Sequence, residues 1–192
     1  MAKVRRKLGF DIDGTLYPWH EIVLEDMIEK GYIPAGTSLD GFFNATYGIL
    51  NRWHPDIQRS IVTSERYYAK SYIRPGAIST LKYLKRSWEI FYITSRPAST
   101  TDITKAWVRS YNLPDRENVY VVDGGKRDII QLLDIDIFVE DKISSVRELH
   151  DICAIILLTR PWNEGYNIDN HVRIDHLKEL IPLLEENNDN YR

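Results

Sequence analysis

Apolar residues fall along the chain in five short, nearly unbroken runs, at residues 7–13, 88–94, 119–123, 135–141 and 153–159. They are rich in β-branched and aromatic side chains and read as strands. Ile90-Phe91-Tyr92-Ile93 and Ile155-Ile156-Leu157-Leu158 are almost wholly apolar, as expected of strands covered on both faces. Between the runs the period becomes helical. Ile103, Trp107 and Tyr111 recur at steps of four, Ile129, Leu132 and Leu133 follow the next loop, and Leu177, Leu180, Ile181 and Leu184 form a last stripe. Strands alternating with helices predict a parallel α/β sheet. One connection is too long for that pattern: roughly 75 residues separate the first strand from Trp88, where a crossover needs about a dozen. Arg74-Pro75-Gly76 marks a break, and a helix over residues 77–86 suffices for the crossover. Residues 18–73 are therefore expected to form a small helical cap, inserted in a core domain of residues 1–17 and 74–192. Within the cap, Leu24, Met27 and Ile28, and then Ile57, Ile61, Tyr68 and Tyr72 on one face, carry helical patterns. The polar tail, residues 187–192, is expected to fray.

With 192 residues, 43% hydrophobic and 28% charged, the chain can bury one core plus an inserted subdomain. It is too apolar to be disordered throughout. A net charge of −3 argues against an extended grip on nucleic acid, which requires many phosphate-neutralising cations. No apolar run reaches ~18 residues, so no membrane span is expected. The basic start, Met1-Ala2-Lys3-Val4-Arg5-Arg6-Lys7, lacks the apolar stretch of a signal peptide. The single cysteine, Cys153, excludes an internal disulfide. Both features give the expectation of a cytoplasmic protein. Many of the 12 tyrosines and five tryptophans fall between residues 17 and 72. They read first as packing and second as a stacking surface for a planar ligand.

The polar residues gather at strand ends. The first strand ends in Asp11-Ile12-Asp13-Gly14-Thr15, the second in Thr94-Ser95-Arg96, the fourth in Glu140-Asp141. In an open parallel sheet the carboxyl ends share one edge, and ligands bind there. One acidic strand end alone would read as a helix cap, but three together predict a cluster. Two like charges ~4 Å apart repel by ~4 kcal/mol at an effective dielectric of 20, so the cluster needs protons or a cation. All-oxygen ligation with few protein groups suits Mg2+, which accepts phosphate oxygens alongside carboxylates. Backbone N–H groups at Gly14 and Thr15 are expected to face an anion. Lys126, at the start of the helix after the third strand, offers a point charge for a phosphate.

The set Asp11-Ile12-Asp13-Gly14-Thr15-Leu16, Thr94-Ser95-Arg96-Pro97, Lys126 and Glu140-Asp141 resembles the four motifs of the haloacid dehalogenase (HAD) superfamily. The resemblance implies a Rossmann-like three-layer α/β fold with a central parallel sheet of about five strands, the first flanked by the second and fourth. Within the superfamily the chain is similar to the 5'(3')-deoxyribonucleotidase-like branch, through Thr94-Ser95-Arg96-Pro97, Glu140-Asp141-Lys142 and Pro161-Trp162-Asn163. Thr-Ser-Arg-Pro also resembles the phosphatase half of polynucleotide kinase-phosphatases. One departure stands out: the acidic residue often found four positions after the metal-binding aspartate is Ser145 here.

The resemblance implies that Asp11 is a nucleophile forming an aspartyl-phosphate. Asp13 is then general acid and general base. Asp11, Asp13 and Asp141 hold Mg2+, and Glu140 orients a ligand or a water. Gly14, Thr94, Ser95, Arg96 and Lys126 bind the substrate. That substrate is expected to be a small phosphate ester, a nucleoside monophosphate first. A different small ester, a nucleic-acid 3'-phosphate end and a non-catalytic nucleotide-binding module are the alternatives. Trp19, His20, Tyr47, Trp53, Tyr67, Tyr68 and Tyr72 are the candidate aromatic contacts from the cap, with Trp162 after the last strand.

Overall fold

The structure, a computed structural model, describes residues 5–44, 48–166 and 171–186. Six parallel strands make one sheet: β1 (Arg6–Phe10), β2 (Trp88–Thr94), β3 (Val119–Val121), β4 (Ile137–Glu140), β5 (Ala154–Leu158) and β6 (Val172–Ile174). Their order is β3-β2-β1-β4-β5-β6. The chain winds outward from β1 to β3, then crosses back over β1 to build the other half. The switch point of the sheet is therefore the carboxyl edge between β1 and β4, where such folds open a crevice. Five strands match the apolar runs. The sixth adds an edge beside β5, with Leu157 opposite Arg173. Its three residues carry an exposed arginine at the centre, too short and too polar to stand out in the sequence.

Eight α-helices accompany the strands among the described residues: α1 (Trp19–Glu29), α2 (Leu39–Phe43), α3 (Pro55–Val62), α4 (Ala77–Leu84), α5 (Thr101–Ser110), α6 (Arg127–Leu133), α7 (Ile143–Leu149) and α8 (Leu180–Glu186). Alternate residues of the strands face opposite layers. Leu8, Phe10, Ile90, Tyr92, Ile137 and Val139 pack with Leu81 of α4, Trp107 of α5 and Leu184 of α8. Phe91, Ile93, Phe138, Ile155 and Leu157 pack with Ile130 of α6 and Val146 and Leu149 of α7. Burying such a side chain contributes ~1.5–3 kcal/mol, which is why the inner strands tolerate so few polar positions. Gly9 leaves the space that the Phe138 ring of the neighbouring strand occupies. Leu132, expected on the buried stripe of α6, is 80% exposed. It points away from the layer that Ile130 enters.

The segment between β1 and α4 carries α1, α2 and α3, but its second helical pattern is not one face. α3 ends at Val62, where Thr63 and Ser64 favour turns over helix interior, and a single 3-10 turn follows at Glu65–Tyr67. Ile61 and Tyr68 are buried, whereas Ile57 and Tyr72 are exposed. The segment leaves and rejoins the sheet through a narrow neck, in which the Arg74 N–H donates to the Leu16 carbonyl at 2.9 Å. The Trp107 indole on α5 donates to the Tyr72 carbonyl at 2.8 Å, fastening the return strand of the neck. Among the described residues no helix is long and apolar enough to cross a membrane. Residues 1–4, Tyr47 and the tail 187–192 lie outside the described residues.

Candidate active site

Register brings the strand-end acids together. Phe10 pairs with Tyr92 on one side and Val139 on the other, so Asp11 leaves β1 level with Glu140, the last residue of β4. The Asp11 N–H donates to the Val139 carbonyl at 2.9 Å. Asp11, Glu140 and Asp141 are all buried, and each offers an oxygen within 4.8 Å of the others. Lys126, buried at the N-cap of α6, reaches across the sheet edge and pairs with both Asp11 and Glu140, the latter at 2.7 Å. The other Glu140 oxygen accepts the N–H groups of Asp141 and Lys142 at 2.9 and 3.0 Å. Glu140 thus orients its neighbours and has little left for a further ligand.

Asp141 is held from two sides. Its carboxylate accepts the Thr15 hydroxyl and the Trp162 indole N–H, each at 2.9 Å. Its carbonyl accepts the Asn163 amide at 2.7 Å. Trp162 and Asn163 stand in the loop after β5, so the ends of β1 and β4 and this loop converge at Asp141.

Asp13 is held by a buried arginine. Arg96 donates through Nε to Oδ2 at 2.8 Å and through Nη2 to Oδ1 at 2.7 Å. Nη1 donates to the Thr104 hydroxyl of α5 at 3.1 Å. The guanidinium carbon lies 4.9 Å from the centre of the Tyr17 ring and 4.8 Å from that of Tyr68, a cation–π sandwich. The expectation that Arg96 contacts substrate is thereby redirected: its fork is occupied by the second aspartate of the motif.

Gly14 also differs from expectation. Its N–H is not free for an anion but donates to the Tyr17 carbonyl at 2.8 Å. Its carbonyl accepts the Nε–H of both Arg74 and Arg160 at 2.8 Å. Glycine is needed here because φ is +88° and a Cβ would run into the Asp141 carboxylate. Burial and the adjacent Arg74 push the Arg160 guanidinium down to about 10.

Charge balance explains what such a cluster can bind. Burial raises the Asp11 carboxyl well above its ordinary value, with Lys126 opposing and Glu140, Asp141 and Asp13 adding. Burial and Glu140 push Asp141 up to about 7, against the hydrogen bonds from Thr15 and Trp162. Burial alone would lower the Lys126 ammonium, but Asp11 and Glu140 hold it above its usual value. One cation among three buried acids leaves a deficit of positive charge, and oxygen donors alone suit a hard divalent ion.

The sign of this linkage is testable. A folded-state pKa raised to about 7 at Asp141 means that the metal-free fold keeps a proton that the unfolded chain releases near pH 4. Stability from this group is full below pH 4 and is lost as pH rises to 7. A divalent ion that displaces the proton should raise the melting temperature at pH 8 and much less at pH 5.5. Scanning calorimetry with and without millimolar Mg2+ checks this. A Mg2+ gain independent of pH, or one unchanged in Asp141→Asn, rules the site out.

No protein-family profile matches the chain. Among curated proteins, "Putative nucleotidase OB0422" of Oceanobacillus iheyensis is 32% identical over 149 residues, 71% of this chain and 77% of that protein. "Putative nucleotidase BH1399" of Halalkalibacterium halodurans is 28% identical over 96% of this chain and 95% of that protein. Among solved structures, the "putative HAD-hydrolase YfnB" of Bacillus subtilis, bound to magnesium, superposes with a TM-score of 0.65 at 14% identity, covering 95% of this chain and 99% of that one. A haloacid dehalogenase-like hydrolase of Xanthomonas campestris gives 0.61 at 14% identity over 98% and 99%. The chain belongs to the family of these "Putative nucleotidase" proteins, and its fold is that of the haloacid dehalogenase-like hydrolases.

In this chain the motif residues line one pocket of about 570 Å³, in the range typical of small-ligand sites, ~300–1,000 Å³. Asp11, Asp13, Thr94, Ser95, Arg96, Lys126, Glu140 and Asp141 form its floor. Thr94 is buried and Ser95 exposed to the pocket. Of the aromatic candidates, Trp19, His20, Tyr68 and Trp162 line the pocket, joined by Phe43 and Tyr166, which the sequence did not single out. Trp53 and Tyr67 border a separate groove. The His20 ring stacks on Trp162 at 3.9 Å and meets Phe43 edge-on at 4.8 Å. Burial, then the charges of Arg74, Lys142 and Arg160, push the His20 imidazole down to about 3. His20 is therefore a neutral, aromatic wall residue at any physiological pH. Phe43 ends a five-residue helix too short for a periodic signal, and Tyr166 follows a turn, its N–H donating to the Asn163 carbonyl at 3.2 Å.

Proposed function

We propose that the protein is a Mg2+-dependent phosphomonoesterase that hydrolyses nucleoside monophosphates through an aspartyl-phosphate on Asp11. The observation that carries the reading is the convergence of Asp11, Asp13, Lys126, Glu140 and Asp141 at the switch point of the sheet. A pure binder has no use for a second aspartate two residues from the first. In this reading the Asp11 carboxylate attacks phosphorus and the P–O bond to the alcohol breaks. Asp13 gives a proton to the departing alkoxide, then takes one from the water that cleaves the acyl-phosphate. Arg96 fixes the rotamer of Asp13, whose side chain stays 19% exposed. Lys126, tied to Asp11, and the groups at Thr94 and Ser95 offset charge on the transferring phosphoryl oxygens. The carboxylates of Asp11 and Asp141 and the carbonyl of Asp13 would hold Mg2+, which when bound screens the dianion from the acidic floor.

The helices of residues 18–73 act as a cap that selects the alcohol. Their aromatic wall at Trp19, His20, Phe43 and Tyr68 gives a nucleobase a stacking surface, worth ~1–3 kcal/mol per base. The nucleotidase names of the relatives support the same substrate class. The test is phosphate release from a panel of nucleoside monophosphates and sugar phosphates, with and without Mg2+. Nucleoside monophosphates are expected to lead by at least about tenfold, with turnover lost on chelation. A flat profile would remove the nucleotidase assignment and leave the phosphatase. Undiminished turnover in chelator would remove the metal.

A further inference from the structure

One wall of the pocket has no part in this chemistry. On the floor, Arg96 is matched by Asp13 and Lys126 by Asp11 and Glu140. Beyond Asp141 the lining continues through Lys142, Ser144, Ser145 and Arg147, two cations and two hydroxyl groups with no carboxylate. The position at which the superfamily motif often carries an acid, four residues after Asp141, is one of these serines. Lys142 and Arg147 are exposed. Neither side chain makes a hydrogen bond or ion pair with the described residues. Lys142 lines the pocket beside the aromatic wall, where its charge helps to lower the His20 imidazole. The cavity floor is acidic and its own cations are spent, so among the described residues these two are the lining cations without a partner.

We propose that this wall is a second anion subsite, and that the preferred substrate is a bisphosphorylated small ester. One phosphate meets Asp11 and the other meets Lys142, Arg147 and the hydroxyl groups of Ser144 and Ser145. The inference deepens the phosphomonoesterase reading and rests on it for the first phosphate. For a nucleotide, the class is a nucleoside 3',5'-bisphosphate. The hydrolysis is unchanged: the P–O bond of one ester breaks, water supplies the new oxygen, and the second phosphate stays on the product. Exposed cations are screened by salt, so the preference belongs to low and physiological ionic strength.

The test uses the Asp11→Asn chain, expected to bind without turnover, in Mg2+ and titration calorimetry. Two pairs of probes are compared: adenosine 3',5'-bisphosphate with adenosine 5'-monophosphate, and fructose 1,6-bisphosphate with fructose 6-phosphate. The bisphosphate is expected to bind at least about tenfold more tightly than its monophosphate, a difference of ~1.4 kcal/mol. In Lys142→Gln/Arg147→Gln, two surface changes, that ratio is expected to fall to about one. Equal affinity within both pairs, or a ratio that the double variant leaves intact, overturns the subsite. If adenosine 5'-monophosphate binds and the second phosphate adds nothing, the subsite fails and the nucleotidase reading survives. If only the sugar pair binds, with the tenfold ratio, the nucleoside falls and the subsite stands. Binding of no probe sinks both.

Discussion

Asp11→Asn is expected to lower phosphate release by at least about 10⁴-fold, ~5.5 kcal/mol in the barrier, without weakening the fold. An amide cannot attack phosphorus, so the first of the two displacements is lost outright. The fold survives because Lys126 keeps its second partner, Glu140, at 2.7 Å. The Asp11 carboxylate is also expensive to bury, since burial is the largest cause of its raised pKa; replacing it with a neutral isostere removes that cost. Turnover of nitrophenyl phosphate and the melting temperature, measured on one preparation, check both halves. Wild-type-like turnover would strip Asp11 of its role. Lost turnover together with a collapsed melting temperature would reassign it to structure.

Arg96→Met carries the largest expected effect on stability. Arg96 is 2% exposed, and its desolvation is offset by the two-pronged pairing with Asp13, the Thr104 hydroxyl and two aromatic faces. Removing one member of a buried pair strands the other, at a cost of ~3–5 kcal/mol. For a chain of this size that corresponds to a fall of about 10 °C in melting temperature. Arg96→Lys keeps the charge but loses the fork and should fall between. The decisive variant is Arg96→Met with Asp13→Asn. It should recover most of the lost stability, because no carboxylate is left unpaired, while activity stays absent. A cycle with zero coupling energy would mean that the pair is ornamental.

The acid cluster was legible in the sequence because each member follows an apolar strand, and a parallel sheet gathers strand ends whatever lies between them. Lys126 was legible by its place before a helix. The partners of these residues were not. Nothing in Thr94-Ser95-Arg96-Pro97 shows that Arg96 turns inward to Asp13 and not outward to a ligand, since either satisfies a guanidinium. That choice is made by Thr104, Tyr17 and Tyr68, three residues from three separate elements. The N–H of Gly14 read as a free donor because the bond to Tyr17 depends on a turn that only the positive φ creates. The same holds for Trp162: its aromatic character was visible, but its hydrogen bond to Asp141 needs the loop after β5 folded back over the sheet edge. Ile57 and Tyr72 were misplaced because a helical stripe was extended through Thr63-Ser64, where the chain turns. Local pattern reports which residues face inward within one element. It does not report which elements meet.

The neck between Leu16 and Arg74 has a consequence for how such proteins diversify. A hydrogen bond of 2.9 Å closes the two crossings of the chain, so everything threaded beyond it leaves and rejoins the sheet at one point. That loop is not independent of the strand-end acids, because it carries Tyr17 and Tyr68, the two rings that hold Arg96 on Asp13. The aromatic wall of the pocket is free to vary only where those two rings are kept.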